Sequence, residues 1–445
     1  MPLLGMLMDP NAEPLERDTM RRVTTRLIPL LMICYFVGYL DRVNVSFASL
    51  SMNRDLHLSS SVYGFGGGIF FLGYFLFEIP SNLLLERVGA RRWIARILVT
   101  WGIISACTAL VGGAWSFWGV RFLLGLAEAG FYPGIILYLT WWFPSYYRSR
   151  IIGVFMTAIP ISVVLGSIVS GWILTLDKAG GVAGWQWLFI LEGAPAVVLG
   201  VIVYFFLTDQ PEHAHWLMPE QRTWLAKRVA EERAARETVR HYALRDVFRN
   251  GRVWTLTLVY FGQNVAGYGL VIFLPQIIKR FGVTDLQTGF INAIPFAFAA
   301  VAMVLWGLHS DRTGERSIHT AIACFVTFVG LAVCVGIDHP FLLMVAIIFA
   351  QMGQSSIPPV FWALPTAMLS GTAAAGGIAL INAVGNLGGF LGPYAMGLIK
   401  DYTGNFKLGL LAISFGALVA GIVVLMLGHD RRLERIEGAR AEVAE

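Results

Sequence analysis

Long apolar stretches recur along the whole chain, and short polar or basic segments separate them. A helix needs about 20 apolar residues to cross a bilayer, and these stretches reach that length. The pattern predicts twelve membrane-spanning helices. The first six lie at about 25–48, 62–85, 92–112, 115–141, 150–173 and 187–207. The second six lie at about 253–278, 287–308, 317–337, 340–368, 374–399 and 406–428.

Composition agrees with a lipid environment. Hydrophobic residues make up 56% of the 445 residues and charged residues only 14%, whereas a soluble domain carries about 25% charged residues. A soluble core cannot absorb so much apolar surface, so we expect an all-α integral membrane protein. The cysteines stand singly in apolar runs without a CxxC pair, so neither a metal, a cofactor nor a disulfide is indicated. They are Cys34, Cys107, Cys324 and Cys334.

The polar segment 208–252 divides the predicted helices six and six. This predicts a cytoplasmic N-terminal segment (1–24), a six-helix bundle (25–207), a cytoplasmic linker (208–252), a second bundle (253–428) and a cytoplasmic tail (429–445). Within the linker, residues 219–237 begin with proline and carry a thin apolar stripe, which predicts a surface helix that joins the two halves.

The basic residues fix the predicted orientation. With both termini in the cytoplasm, two of the 33 Lys and Arg residues lie within helices and most of the others lie on the inner side. This excess satisfies the positive-inside rule. Those placed outside are Arg54, Lys178, Lys279, Arg280, Lys400 and Lys407.

Two loops at matched positions of the halves repeat one pattern. The chain reads Asn82-x3-Glu86-Arg87-x-Gly89-x-Arg91-Arg92 after the second predicted helix, and Gly307-x3-Asp311-Arg312-x-Gly314-x-Arg316 after the eighth. Such duplication is typical of alternating-access carriers. We expect the charged residues of these loops to act in gating, through contacts between arginines and acids. They are Glu86, Arg87, Arg91, Asp311, Arg312 and Arg316.

The two loops resemble the signature of the major facilitator superfamily. A narrower resemblance, to its anion:cation symporter family and within it to tartrate-type transporters, rests on four segments of the first half: 35–47 (YFVGYLDRVNVSF), 78–96, 121–134 and 184–195. Asn82 stands where the superfamily loop usually has glycine, which fits this family's own version. The resemblance implies uptake of carboxylates such as tartrate, phthalate or sugar acids with protons, across a bacterial inner membrane.

Charged residues inside the predicted spans are the first candidates for function, because a charge at the bilayer centre costs about 2.5–3.5 kcal/mol. They are Asp41, Arg42, Glu78, Arg121, Glu128 and Glu192. Arginine offers a planar fork of donors that suits a carboxylate, so Arg42 and Arg121 are candidates for binding the anion. Arg121, Glu128 and Tyr132 recur at the spacing of one helix face. Glu78 and Glu192 lie near helix ends and are interpreted as structural or gating groups.

Asp41 and Glu128 are the candidates for proton coupling. Desolvation and a nearby arginine act on a carboxyl in opposite directions, so a carboxyl poised between them can exchange its arginine partner for a proton. The family resemblance implies the same two carboxyls. As an alternative, Asp41 with Arg42 and Arg121 with Glu128 form ion pairs that only fix helix packing.

Neutral polar residues can complete the substrate site. Gln263 and Asn264 lie in an apolar span, as do Gln351 and Gln354. Their alternative role is to bond neighbouring helices across an interface. By resemblance, four further residues fall at substrate-binding positions: Tyr39, Tyr74, Trp362 and Asn382.

Other functions fit less well. The sequence has no HExxH or G-x-S-x-G motif, which disfavours a membrane enzyme, and the duplicated loops disfavour a passive channel. The basic residues line the membrane face, so nucleic acid is not an expected partner. A drug exporter on the same fold remains the main alternative, although two intramembrane arginines favour an anion over a cation. We expect a monomer in the lipid bilayer that binds a small organic anion and protons.

Overall fold

The computed structural model describes residues 13–237, 249–368 and 371–427, and the N-terminal twelve residues, part of the linker and the C-terminal tail lie outside the described residues. Every regular element within those ranges is a helix. The helices of the first part are α1 (Pro14–Asp55), α2 (Ser60–Val88), α3 (Ala90–Cys107), α4 (Ala114–Glu128), α5 (Phe131–Trp142), α6 (Ser145–Met156), α7 (Ala158–Ile173), α8 (Gly184–Phe206) and α9 (Pro219–Glu237).

The second part continues the same architecture. Its helices are α10 (Gly251–Lys279), α11 (Asp285–Thr313), α12 (Ser317–Ala332), α13 (Pro340–Phe361), α14 (Ala363–Met368), α15 (Gly371–Asn386), α16 (Gly388–Thr403) and α17 (Lys407–Met426). The predicted surface helix of the linker is present as α9, with the expected bounds.

The expected all-α membrane architecture is confirmed. Among the described residues, 11 helical segments are long and apolar enough to cross a membrane. The predicted span 374–399 is not among these segments, and two 16-residue helices, α15 and α16, cover it. They meet at Leu387.

The fourth predicted span is also interrupted. One continuous helix was expected over 115–141, but α4 ends at Glu128 and α5 begins at Phe131. Gly130 adopts a left-handed conformation, with φ 84°, which side chains disfavour. A Cβ atom there would also lie 2.6 Å from the Ser81 Cβ. The chain therefore turns at this glycine, and Glu128 occupies a helix end inside the span.

The helices group into two compact units. The first contains residues 1–51 and 72–239, and the second contains residues 52–71 and 240–445. In the first unit α3 and α8 pack closely, because Gly102 and Gly193 face each other. A Cβ on Gly102 would lie only 2.7 Å from the Gly193 carbonyl oxygen. Small residues at such contacts let membrane helices approach closely.

The second unit includes the first part of α2. The Tyr63 hydroxyl donates to the Ile272 carbonyl at 3.1 Å. The Asp401 carboxylate accepts from the backbone N–H groups of Ser60 (2.9 Å) and Ser61 (2.7 Å). It thereby satisfies donors at the start of α2 that have no partner within the helix.

Candidate functional site

An ion pair between a half-buried arginine and a buried glutamate lies within the first unit. The Arg42 guanidinium on α1 donates to Glu128, the last residue of α4. The side chains of Arg42 and Glu128 are 15% and 3% exposed. Because α4 ends at Glu128, the break at Gly130 places this carboxylate at a helix terminus inside the span.

Two tyrosines flank the Arg42 side chain. The guanidinium carbon lies 5.8 Å from the ring centre of Tyr39 and 5.5 Å from that of Tyr74. These distances suit cation–π attraction. The structure therefore brings together four residues predicted for the site, Tyr39, Arg42, Tyr74 and Glu128, from α1, α2 and α4.

Asp41, the residue before Arg42, is fully buried. Three neutral donors converge on its carboxyl group. The Trp101 indole nitrogen donates to Oδ2 at 2.6 Å, the Asn44 amide donates to Oδ1 at 2.8 Å, and the Ser105 hydroxyl donates to Oδ1. The serine hydroxyl can rotate to accept when the carboxyl is protonated, whereas the indole can only donate. The site can therefore accommodate both protonation states of Asp41.

Arg121 completes the charged cluster. It is 1% exposed, and its charge acts on both Asp41 and Glu128. Two arginines and two carboxyls thus share one buried region. The sequence left open ion pairs of Asp41 with Arg42 and of Arg121 with Glu128. In the structure Arg42 bonds to Glu128, and the neutral side chains of Trp101, Asn44 and Ser105 donate to Asp41.

The break in the fourth span also changes the expected helix face. Tyr132 lies on α5, so it does not continue the α4 face that carries Arg121 and Glu128. Its ring stacks on Tyr35 of α1, with centroids 5.6 Å apart. Tyr35 also contacts the Tyr39 ring at 6.3 Å. Aromatic packing thus joins α5 to the segment of α1 that carries the charged pair.

The second unit holds a cluster of amide groups. The Gln263 amide donates to the Asn264 side-chain oxygen at 3.1 Å, and the Asn264 amide donates to the Gly385 carbonyl at 3.1 Å. The Gln354 amide donates to the Gln263 backbone carbonyl at 3.0 Å. Among the described residues, the side-chain oxygens of Gln263 and Gln354 are buried without a hydrogen-bond donor. These oxygens can accept hydrogen bonds from a ligand hydroxyl.

Trp362 and Asn382 also lie in the second unit, on different helical segments. Trp362 falls at the break between α13 and α14 and packs edge-on against Tyr260, with ring centres 4.9 Å apart. Asn382 is half-buried on α15, one turn before Asn386. Asn386 lies 3.5 Å from the Asn264 amide.

The two repeated loops differ in detail. In the second loop Asp311 and Arg316 form an ion pair at 2.6 Å, while Arg312 is exposed. In the first loop Glu86 and Arg87 are exposed. The Arg91 guanidinium lies 5.5 Å from the Tyr204 ring centre, and its backbone N–H donates to Asp209 at 2.8 Å.

Sequence reasoning missed the partners of Asp41. Asn44 follows Asp41 at i+3, and Trp101 and Ser105 recur at i, i+4, so both spacings share a helix face. That spacing could have marked them as polar positions inside a span. It could not show that α3 packs against this part of α1.

Comparison with known proteins decides the family. The family model described as Major Facilitator Superfamily matches residues 31–393 and 276–443. The chain belongs to the major facilitator superfamily. It is therefore a multi-pass membrane transporter, and not an enzyme. Among the described residues, no group of three or more His, Cys, Asp or Glu side chains could hold a metal ion.

Individual relatives agree with this family. The chain is 53% identical over 379 residues to a protein of Agrobacterium vitis named "Putative tartrate transporter", covering 85% of this chain and 84% of that protein. It is 40% identical over 380 residues to the "Quinolone resistance transporter" of Acinetobacter baumannii, covering 85% and 88%. A solved bacterial homolog of the human lysosomal transporter Spinster, inward-facing, has a TM-score of 0.75 at 16% identity, covering 93% of this chain and 99% of that one, and supports the fold alone.

Proposed function

We propose that this chain is a proton-coupled symporter that imports a small organic anion by alternating access. The substrate is a carboxylate, such as a tartrate-like dicarboxylate, a sugar acid or an aromatic acid. The buried pair of Arg42 and Glu128, with Arg121 in the same cluster, is the observation that carries this proposal. It combines a carboxylate-binding cation with a carboxyl group that can take up a proton.

The exchange of hydrogen-bond partners at Arg42 couples binding of the organic anion to uptake of a proton. A carboxylate that binds the Arg42 fork competes with Glu128 for the same donors. A buried Glu128 that loses its counter-ion is destabilised as an anion and therefore takes up a proton. Anion and proton consequently enter the site together, and the net charge of the cluster changes little.

Asp41 is the second proposed proton site. Its carboxyl lies next to Arg42 in the sequence, but it bonds to Trp101, Asn44 and Ser105. Since the charge of Asp41 acts directly on Glu128, a change of charge at either carboxyl alters the field at the other. Arg121 is the second proposed cation for the anion.

The second unit supplies neutral contacts in this proposal. The amide cluster around Gln263 and Asn264 offers acceptor oxygens to substrate hydroxyl groups, and Trp362 and Asn382 are further proposed substrate contacts of this unit. Tyr39 and Tyr74 border the anion on the first unit. The relative whose name refers to tartrate supports a hydroxylated dicarboxylate as the first substrate to test.

The remaining features follow from the sequence. We place the protein in the bacterial inner membrane as a monomer, with both termini in the cytoplasm and the two bundles joined by the linker 208–252. The loops that carry Glu86, Arg87 and Arg91, and Asp311, Arg312 and Arg316, act as gates on the cytoplasmic side. The Asp311–Arg316 ion pair supports a closing contact there.

Export is the second candidate function. The relative named as a quinolone resistance transporter supports an exporter or antiporter of organic anions or drugs on the same fold. Arg42 and Arg121 favour an anion over a cation as the substrate, since they repel positive charge.

Uptake into proteoliposomes tests the proposal. Purified protein is reconstituted, and labelled tartrate, galactonate, phthalate and hydroxyphenylacetate are offered with and without an inward proton gradient. Accumulation of one acid only under the gradient supports the symporter. If no acid accumulates, and an acid or quinolone loaded into the vesicles leaves them in exchange for protons, the symporter proposal is wrong and the protein is an exporter.

A further inference from the structure

A further buried carboxyl, Glu192, lies beside the partners of Asp41 in the first unit. It is on α8 and only 2% exposed. The Ser170 hydroxyl donates to its Oε1 at 2.7 Å. The Asn44 side chain adjoins the Glu192 carboxyl, and the charge of Asp41 acts on it. The Glu192 carboxyl is part of neither the proposed anion site nor the proposed exchange of partners at Arg42.

The close packing of α3 and α8 puts Glu192 in this place. Gly193, the next residue, meets Gly102 and the helix turn that carries Ser105, so a Cβ there would lie 2.9 Å from the Gly102 oxygen and 3.3 Å from the Ser105 Cβ. Ser105 in turn donates to Asp41. The two carboxyl groups therefore share one packed region of α1, α3, α7 and α8.

The hydrogen bonds of Asn44 indicate where a proton is needed. Its amide nitrogen donates to Asp41 at 2.8 Å. Among the described residues, its side-chain oxygen has no donor, and Glu192 Oε2 has no partner. Both atoms are acceptors while Glu192 is ionised. A proton on Oε2 would turn this unsatisfied acceptor into a donor, and unsatisfied buried acceptors are destabilising.

Repulsion between like charges also favours a proton on one of the two carboxyls. The groups that face Glu192 are Ser170 of α7 and Asn44 and Asp41 of α1. The buried cation of this region, Arg121, acts on Asp41 and Glu128. Two neighbouring buried carboxyls do not both ionise readily, so the pair titrates as one unit.

We infer that Glu192 is a third proton-binding carboxyl, joined to Asp41 through Asn44. The inference rests on the proposed proton coupling. In the proposed orientation, Asn44 lies one turn beyond Asp41 toward the outer end of α1, and Glu192 lies in the outer half of α8. A proton that leaves Glu192 Oε2 is taken up by an Asp41 oxygen. Glu192 then becomes a carboxylate, and a proton from the outer side restores it.

Two transport assays on the same vesicles test this inference. One measures accumulation of labelled tartrate, or of whichever acid of the panel the wild type accumulates, under an inward proton gradient. The other measures exchange of that acid across the membrane, which needs no net proton movement. In Glu192→Gln we expect accumulation to fall by about a hundredfold, the lower end of what a positioned proton-transfer group contributes. Exchange is expected to stay close to the wild-type rate.

Asn44→Leu provides an independent variant, because it removes the bridge and keeps both carboxyls. It is expected to lose accumulation and keep exchange, as Glu192→Gln does. The matched control is Asn53→Leu, a half-buried position further along α1 and outside the network, which is expected to keep both activities. If Glu192→Gln or Asn44→Leu accumulates the acid as the wild type does, the inference is wrong and the symporter proposal stands.

Infrared spectroscopy tests the proton itself without a substrate. The wild type is expected to show a buried carboxylic acid C=O band at neutral pH that Glu192→Gln lacks and Asn53→Leu keeps. If the wild type shows this band but accumulates no acid of the panel, the symporter proposal is wrong. The assignment of a proton to Glu192 would still stand. A band that survives in Glu192→Gln and vanishes in Asp41→Asn would place the proton on Asp41 and contradict the inference.

Discussion

The Trp101 indole nitrogen of α3 donates a hydrogen bond of 2.6 Å to the Asp41 carboxyl of α1. Both side chains are fully buried. The contact fixes the orientation of a carboxyl group that the proposed mechanism needs to protonate and deprotonate. It also ties α1 to α3 at the depth of the charged cluster.

Trp101→Phe removes this donor and keeps an aromatic ring. A hydrogen bond to a charged group contributes about 1.5–3 kcal/mol, so we expect a lower melting temperature and an altered pH dependence of uptake. Trp142→Phe is the matched control, because Trp142 is fully buried and its indole nitrogen has no hydrogen-bond partner among the described residues. Equal effects of the two changes on the pH profile would show that the Trp101 bond has no role in proton coupling.

Arg42→Lys keeps the positive charge but removes the planar fork of donors. Losing one hydrogen bond to a charged partner costs about 1.5–3 kcal/mol, which corresponds to roughly a ten- to hundredfold rise in KM. Initial uptake rates over a range of acid concentrations measure this. Arg54→Lys is the control, since Arg54 is exposed at a helix end. An unchanged KM in Arg42→Lys would remove Arg42 from the anion site.

The sequence predicted the spans well because a run of apolar residues reports directly on a lipid environment. It also predicted α9 with its observed bounds, since proline marked the start and the apolar stripe marked one face. The partners within the charged cluster could not be predicted. Helical spacing places residues on a face, but it does not tell which helix lies opposite, so the pairing of Arg42 with Glu128 emerged only from the packing.

The break at Gly130 escaped prediction for a related reason. The segment around it is apolar and has a helical pattern, and glycine is common inside membrane helices. Only the crowding of α5 against Ser81 of α2 shows why the backbone turns there. This turn separates Tyr132 from the face of Arg121 and leaves Glu128 at a helix end.

Gly130→Ala should destabilise the protein. The left-handed conformation costs a residue with a side chain roughly 1–2 kcal/mol, and the added Cβ would overlap the Ser81 side chain. Thermal unfolding in detergent and uptake rates measure the effect. In the control, Gly153→Ala, the added Cβ on α6 meets open space, so stability should stay equal or rise by about 0.5–1 kcal/mol. Equal melting temperatures of the two variants would show that the turn does not require glycine.

Arg316→Gln breaks the ion pair with Asp311 and a bond of 3.2 Å to the Ser310 hydroxyl. Asp311 is 61% exposed, so solvent screens the pair. A loss of about 1 kcal/mol is expected, or roughly fivefold in the balance between gate states. Accessibility of an engineered cysteine on the cytoplasmic side measures that balance. The control is Arg228→Gln, which weakens an ion pair on α9 and should leave the balance between gate states unchanged. Equal cysteine accessibility in both variants would argue against gating by this loop.

The partner exchange between Arg42 and Glu128 is the central claim, and Glu128→Gln tests it most directly. Glutamine cannot ionise, so it neither competes for Arg42 as an anion nor carries a proton. Accumulation and exchange of the transported acid are measured side by side in proteoliposomes under an inward proton gradient. The account predicts that Glu128→Gln exchanges the acid but no longer accumulates it. Accumulation at the wild-type level in Glu128→Gln would contradict the account.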